Sequence, residues 1–215
     1  MKSVTISTLA LALLVSGIPE ARAAEGAPTQ FVKEKTRTIR KVLKRRPKKG
    51  TKAYNRKKQD VKQQVNAFLD FEVLSQRSLR DHWDKRSEAE QQEFVQLLRD
   101  LVEESYLTHI DENPDFEMCY REEKTLKSGK AIVRTTAKKG KTVVEIDYKL
   151  MPKDSGWIVY DMVIDDVSVE RNYRRQFNKI IKKDGYPHLL GKMRSKLDEL
   201  RSGGKASAPG KDGEL

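Results

Sequence analysis

Residues 156–177 read GWIVYDMVIDDVSVERNYRRQF, and a strand passes into a helix within this stretch. The segment from Trp157 to Ile164 is apolar or aromatic at every position but one, which is typical of a strand covered on both faces. From Tyr173 and Phe177 onward, apolar residues recur at the spacing of a helix that buries one side. We expect this junction of strand and helix to lie at the centre of the fold.

Three further strand-like runs precede this one, near residues 116–122, 130–136 and 141–150. The break before each of the last three runs contains a glycine and is short enough for a hairpin. This pattern predicts a four-stranded antiparallel meander with residues 157–167 as its fourth strand. In the third run, apolar residues occupy the even positions and alternate with charged ones. Even-numbered side chains, including Ile158 in the fourth run, are therefore predicted to face the core.

Helical patterns lie on both sides of these strands. Apolar stripes at helical spacing run through residues 31–46, 61–69, 74–83, 94–110, 173–181 and 189–200. Pro47 is expected to end the first helix and Asp70 to cap the third, while Ser87 and Glu90 form a capping-box signature before the fourth. Helices before and after one antiparallel sheet make this an α+β fold, in which N-terminal and C-terminal helices pack on a four-stranded sheet.

The two ends of the chain differ in composition from the middle. Lys2, a 15-residue apolar run over residues 4–18 and the small residues around Arg22 predict a signal peptide over residues 1–23 and therefore export. An N-terminal anchor helix is the alternative for this run. Residues 24–201 are enough for one domain, and the glycine-rich residues 202–215 are expected to be a disordered tail. Cys119 is the only cysteine, which excludes an internal disulfide.

The positive charge of the chain is concentrated in one segment. The sequence carries a formal net charge of +12, and residues 33–58 contain 14 lysines and arginines against one acid, Glu34. Three interpretations are open for this segment: a solvated helix face, a surface attracted to an anionic bilayer or an acidic partner, or a nucleic-acid-binding arm. Export and the scarcity of aromatic residues among the charges, with Tyr54 the exception, argue against nucleic acid.

Signals for catalysis are weak. His82, His109 and His188 lack metal-ligand spacing, and no phosphate-binding glycine loop or nucleophile elbow is present. Cys119 has outward parity in its strand and no histidine nearby in sequence, which indicates an inert thiol. We therefore predict no catalytic residue, metal site or cofactor.

An enzyme is nevertheless the rival class. A buried aspartate such as Asp147, Asp161 or Asp165 could transfer protons inside the pocket of a cone-shaped α+β enzyme that acts on a small apolar substrate. From spacing alone, the simpler interpretation is a strand aspartate that pairs with a base such as Arg174.

The order of particular residues resembles one known family. In the region quoted above and just after it these residues are Trp157, Tyr160-Asp161, Ile164, Val167-Ser168-Val169, Asn172-Tyr173-Arg174, Gln176-Phe177, Gly185 and Leu189-Leu190, and upstream they are Asp70-Phe71, Leu79, Trp83, Phe94 and Tyr106. The two blocks span most of the predicted mature chain and resemble the MlaC family of periplasmic phospholipid-shuttle proteins. Arg80 and Asp166 depart from the pattern, because they stand where the family usually has glycine.

The resemblance implies a non-enzymatic, periplasmic phospholipid carrier that holds acyl chains in an apolar cavity between the sheet and the helices. The lipid would be cargo, and no cofactor is implied. The implied partners are an inner-membrane ABC complex with its ring protein and an outer-membrane lipoprotein and porin complex, between which the carrier maintains outer-membrane lipid asymmetry. Inward parity and stripe position select the candidate lipid-binding residues: Phe68, Phe71, Leu74, Leu98, Leu101, Tyr106, Val144, Ile146, Tyr148, Tyr160, Met162, Ile164, Val167, Tyr173 and Phe177. Without the resemblance, the same side chains would form an ordinary packed core.

Overall fold

The computed structural model of the protein describes residues 26–108, 111, 115–154 and 156–204. The predicted signal peptide, His109 and the tail beyond residue 204 lie outside the described residues. In chain order the elements are α1 (Ala27–Leu43), α2 (Lys52–Asn66), α3 (Phe71–Leu79), α4 (Glu88–Thr108), β1 (Glu117–Thr125), β2 (Ala131–Lys139), β3 (Thr142–Lys153), β4 (Gly156–Ile164), β5 (Val167–Ser168), α5 (Val169–Asp184) and α6 (Tyr186–Arg201). The α+β class is confirmed, and no helix in the described part of the chain is long and apolar enough to cross a membrane.

The sheet is an antiparallel meander in the order β1-β2-β3-β4-β5, so it has five strands where four were predicted. The difference arises at Asp165 and Asp166, whose φ angles are 45° and 66°. Two successive left-handed residues make a tight hairpin turn, which folds Val167 back onto Ile164. The run from Trp157 to Val167 is therefore two strands, and the prediction of one unbroken strand was wrong.

Strand pairing shows which side chains share the inner face of the sheet. Tyr148 pairs with Met162, as the even-numbered pattern predicted, but a bulge then shifts the register so that Leu150 pairs with Val159. Val159 is fully buried, whereas Ile158 lies on the other face and is only half-buried. The prediction that Ile158 faces the core was wrong because a bulge inverts the alternation beyond it.

Three of the helices, α1, α3 and α5, pack on the inner face of the sheet. α1 lies along β1 and β2, whereas α3 and α5 pack on β4. The main packing partners of α4 are α6, α2 and α3. On the outer face Arg134 forms ion pairs with Glu122 and Asp147, while Ile158 and Val163 of β4 are half-buried. The cover that was expected on both faces of β4 is thus complete on one face and partial on the other.

Local caps set most helix boundaries. Asp70 accepts a hydrogen bond from the Val73 amide and caps α3, as predicted. Ser87 and Glu90 form the predicted capping box, in which the Glu90 carboxylate accepts from the Ser87 amide at 2.8 Å and the Ser87 hydroxyl accepts from the Glu90 amide at 3.3 Å. α1 begins at Ala27, earlier than predicted, because Pro28 is tolerated in a first helical turn.

α3 ends at Leu79 and does not continue to Trp83 as predicted. Arg80, its C-cap residue, has φ 46° and ψ −112°, and a 3₁₀ turn over Arg80–His82 follows. Arg80 and Asp166 both have positive φ angles. They are the two positions at which the sequence departs from the resemblance by lacking glycine. Glycine adopts such angles without the steric cost that a Cβ atom brings.

Candidate functional site

A cavity of about 60 Å³ lies between β4 and helices α3, α4 and α5. Its lining consists of Leu69, Asp70, Leu74, Val102, Ser105, Tyr106, Val159, Tyr160, Asp161, Met162, Val169 and Tyr173. Aliphatic, methionine and tyrosine side chains make up most of this wall. Such a wall accepts hydrocarbon without leaving an unpaired polar group against it.

Backbone pairing fixes the wall next to α3. The Val159 amide donates to the Phe68 carbonyl at 3.1 Å, and the Asp70 amide donates to the Val159 carbonyl at 3.0 Å. Leu69 therefore lies beside Val159 in the manner of a short parallel strand. β5 pairs with this edge of β4 only at Val163 and Ile164, so Val159 can pair with Leu69 on the same edge. The pairing holds the start of α3 against the sheet.

Asp161 fixes the wall next to α5. Its buried carboxylate accepts hydrogen bonds from Lys149 Nζ at 2.9 Å, from Ser168 Oγ at 2.8 Å and from the Glu170 amide at 3.0 Å. An anion at this position is favourable because the first amides of a helix carry positive partial charge. Arg174, the base considered as the partner of Asp161, instead bonds Glu170 at 3.2 Å. The contacts of Asp161 indicate that it anchors α5 to the sheet.

The other polar residues considered for catalysis lie away from the cavity lining. Asp147 is 3.5 Å from Arg134 on the outer face, and Asp165 accepts from a backbone amide at the exposed β4–β5 turn. His188 is exposed on α6, and Cys119 is exposed on β1. In the described ranges, no group of three or more histidine, cysteine or acidic side chains could hold a metal ion.

Three tyrosines add neutral polar groups to the interior. Tyr106 and Tyr173 line the cavity, and Tyr148 pairs across the inner face with the lining residue Met162. Burial raises the pKa of all three hydroxyls, that of Tyr173 to about 12. These side chains are therefore uncharged at neutral pH and can donate hydrogen bonds inside an apolar wall.

Cations surround the side of the cavity formed by Tyr160 and Asp70. The Arg77 guanidinium lies 4.8 Å and Lys130 Nζ 5.4 Å from the centre of the Tyr160 ring. Lys153 Nζ bonds the Asp70 carboxylate at 2.7 Å. Burial by itself would raise the pKa of Asp70, but Lys153 and the capped amides of α3 outweigh it and hold that pKa below its usual value. Arg77 also lies 3.9 Å from the Glu170 carboxylate, so of these three cations only Lys130 has no carboxylate within 4 Å among the residues that the structure describes.

Five of the fifteen predicted lipid-binding residues line the cavity, namely Leu74, Tyr106, Tyr160, Met162 and Tyr173. Six are buried in the core outside the lining: Phe68, Phe71, Leu98, Leu101, Tyr148 and Phe177. The remaining four are half-buried near the β4–β5 turn and the neighbouring part of β3: Val144, Ile146, Ile164 and Val167. The structure thus brings one third of the predicted set to the cavity.

Sequence reasoning missed seven lining residues: Leu69, Asp70, Val102, Ser105, Val159, Asp161 and Val169. Val102 and Ser105 follow Leu98 and Leu101 by one helical turn, so the spacing along α4 could have identified them. No such signal exists for Val159, because its inward position depends on the bulge between β3 and β4.

Comparisons with known proteins agree with this architecture. The family model described as MlaC protein matches residues 33–195. Among solved structures, a phospholipid-binding protein from Ralstonia solanacearum, determined in complex with a phospholipid, superposes with a TM-score of 0.69 at 21% sequence identity. The match covers 83% of this chain and 99% of that chain, and it shows a shared fold. A search of the curated proteins returned no match.

Proposed function

Because the chain belongs to the MlaC family, we propose that it is a periplasmic phospholipid carrier whose cargo enters between β4 and helices α3, α4 and α5. The observation that carries this proposal is the apolar cavity against β4, with neutral tyrosines in its wall and cations at one side. The phospholipid bound to the Ralstonia protein, which shares the fold, supports it. The bound lipid is cargo, and the proposal requires no cofactor and no catalytic residue.

The cavity must enlarge to admit an acyl chain. A cavity of roughly 150 Å³ holds one benzene molecule, which has six carbons. The cavity against β4 measures about 60 Å³, and a phospholipid tail has about 16 carbons. We expect α4 to be the wall that moves, because it packs mainly on other helices, whereas Asp161 ties α5 and the Leu69 pairing ties the start of α3 to β4.

The free energy of tail burial is large, but transfer from a bilayer leaves little of it to drive this opening. Each buried methylene contributes about 0.8 kcal/mol, so one tail of about 16 carbons gains on the order of 13 kcal/mol. A bilayer offers the same tail a similar gain. The carrier therefore moves lipid between states of nearly equal free energy, and net transfer depends on docking to partners.

The proposed partners are an inner-membrane ABC complex with its ring protein and an outer-membrane lipoprotein and porin complex. Between them the carrier would contribute to outer-membrane lipid asymmetry. The lipid phosphate is expected on the Tyr160 side of the cavity, near Arg77 and Lys130. Lys130 acts as a point charge that attracts any phosphodiester, so discrimination between headgroups should be weak.

Native mass spectrometry of protein purified gently from the periplasm tests the proposal. We expect a mass increment of one or more phospholipids on the wild type. Met162→Glu should remove this lipid, because it places a carboxylate without a partner in the apolar wall. Val143→Glu is the matched control, since it makes a similar change on β3 at a side chain that is 51% exposed.

Circular dichroism separates loss of cargo from loss of folding in these variants. A folded wild type without lipid would contradict the proposal. Equal lipid content in folded Met162→Glu and Val143→Glu would show that cargo does not occupy this cavity.

A further inference from the structure

The hairpin of α1 and α2 forms a second surface. Residues 33–58 hold 14 lysines and arginines and a single acid. In the structure they occupy most of α1, the first half of α2 and the connection between the two helices. We call residues 44–52 the basic tip, because six of these nine residues are lysine or arginine.

At least nine of these 14 cations make an ion pair, a cation–π contact or a hydrogen bond to a backbone carbonyl within the fold. Four of them form ion pairs: Lys44 with Asp115, Arg45 with Asp60, and both Lys49 and Lys57 with Asp111. Among the residues that the structure describes, no carboxylate lies within 4 Å of the charged groups of five exposed cations: Arg37, Lys41, Lys48, Lys52 and Arg56. Like charges concentrated on one helical hairpin repel one another and lower the stability of the folded chain. An external anion would reduce this repulsion.

The basic tip is held in a fixed place. Asp111 accepts hydrogen bonds from Tyr54 Oη at 3.0 Å and from Lys49 Nζ at 2.9 Å. The Thr51 hydroxyl caps α2. Asp111 follows the cavity residue Tyr106 by five positions, so the basic tip lies at the end of the molecule where α4 ends. A surface that is already ordered loses little conformational entropy when it binds.

The chemistry of this surface favours a lipid bilayer over a compact anion or a nucleic acid. Nine of the 14 cations are lysines, which act as point charges and lack the bidentate fork that arginine offers to a single phosphate. The exposed cations extend from Arg37 through the tip to Arg56, a span too broad for one small ligand. Stacking of bases needs exposed aromatic rings, but Tyr54 is buried.

We propose that the basic tip and the adjoining faces of α1 and α2 dock the protein on anionic phospholipid bilayers. Binding is peripheral and electrostatic, because Val143 on β3 is the only large apolar side chain that is exposed in the described part of the chain. Docking in this orientation brings the α4 end of the cavity toward the lipid surface. The inference concerns a surface apart from the cavity and holds whatever the cavity binds.

Flotation of the purified protein with vesicles tests this inference. We expect binding to vesicles that contain about 30% phosphatidylglycerol, and little binding to pure phosphatidylcholine vesicles. Each basic residue near such a surface contributes about fivefold in affinity, so Lys48→Glu with Lys52→Glu should weaken binding at least roughly 25-fold. An increase in salt from about 0.05 M to about 0.5 M should release the wild type.

Lys124→Glu with Lys127→Glu is the matched control, with the same change in net charge. Both lysines are exposed near the β1–β2 turn, beside the start of α1, where Thr29 bonds Glu123. This control should bind anionic vesicles nearly as well as the wild type. Equal losses in the two double variants, or equal binding of the wild type to neutral vesicles, would overturn the proposal.

Two further measurements distinguish membrane docking from binding to another polyanion and from the proposed lipid binding in the cavity. Tighter binding to duplex DNA or to polyglutamate than to anionic vesicles at the same salt would assign the surface to another class of partner. The lipid content of Lys48→Glu with Lys52→Glu, measured by native mass spectrometry, should equal that of the wild type. If the wild type retained its lipid but did not bind anionic vesicles, the docking proposal would be wrong and the proposed carrier function would stand.

Discussion

Replacement of Arg80 by glycine should stabilise the protein. Arg80 has φ 46° and ψ −112°, a conformation that costs a residue with a Cβ atom roughly 1–3 kcal/mol. Glycine relieves this strain, but its greater conformational freedom in the unfolded chain offsets about 0.5–1 kcal/mol of the gain in stability. The ion pair of Arg80 with Asp81, at 3.6 Å between side chains that are 66% and 84% exposed, adds nothing measurable. The expected net gain in the free energy of unfolding is about 1 kcal/mol.

Urea unfolding and thermal melts of the wild type, Arg80→Gly and Arg80→Ala measure this gain. For a domain of this size, about 1 kcal/mol raises the Tm by roughly 2–4 °C. Alanine also removes the guanidinium but keeps Cβ, so Arg80→Ala should remain within about 0.5 kcal/mol of the wild type. If alanine stabilised the protein as much as glycine, the backbone angle would not be the cause. The absence of any gain with glycine would refute the assignment of strain to Arg80.

Two aspartates give further predictions. Asp161→Asn should cost about 1–3 kcal/mol in urea unfolding, because one amide oxygen cannot serve the three donors of Asp161, yet lipid should still co-purify with the folded protein. Loss of lipid from a folded Asp161→Asn variant would instead indicate a direct role in binding. The lowered pKa of Asp70 means that its ionised form adds stability above its unfolded pKa of about 4, and that this stability is lost as pH falls through the lower folded pKa. In Asp70→Asn, the free energy of unfolding should therefore fall less steeply below about pH 4 than in the wild type, as measured by urea unfolding at a series of pH values. The same slope in both proteins would contradict the stabilising role of the Asp70 carboxylate.

Features that depend on a few neighbouring residues were predictable from the sequence. The Asp70 cap and the capping box of Ser87 and Glu90 require only the right residue types at a fixed spacing, and both are confirmed. The inward positions of Tyr148 and Met162 follow from simple alternation along each strand, and their pairing in the sheet confirms them.

Features that depend on backbone conformation or on distant partners were not predictable. Asp165 and Asp166 form a hairpin turn without the glycine or asparagine that usually marks one, so the fifth strand was missed. The bulge opposite Leu150 changes which residues of β4 face inward, and composition alone does not reveal it. The anchor between Asp161 and the start of α5 requires the β4–β5 turn to be in place first.

The small volume of the cavity affects how readily the protein gives up a lipid. A rigid pocket large enough for two tails would fill with water after each release, and hydration of its apolar lining would oppose release. In this protein, the cavity that Tyr106, Tyr173 and Met162 help to line has a volume of only about 60 Å³. Side chains that come together behind a departing tail recover part of the apolar contact that the tail took with it. The lining can thereby lower the barrier to unloading, in addition to its part in holding cargo.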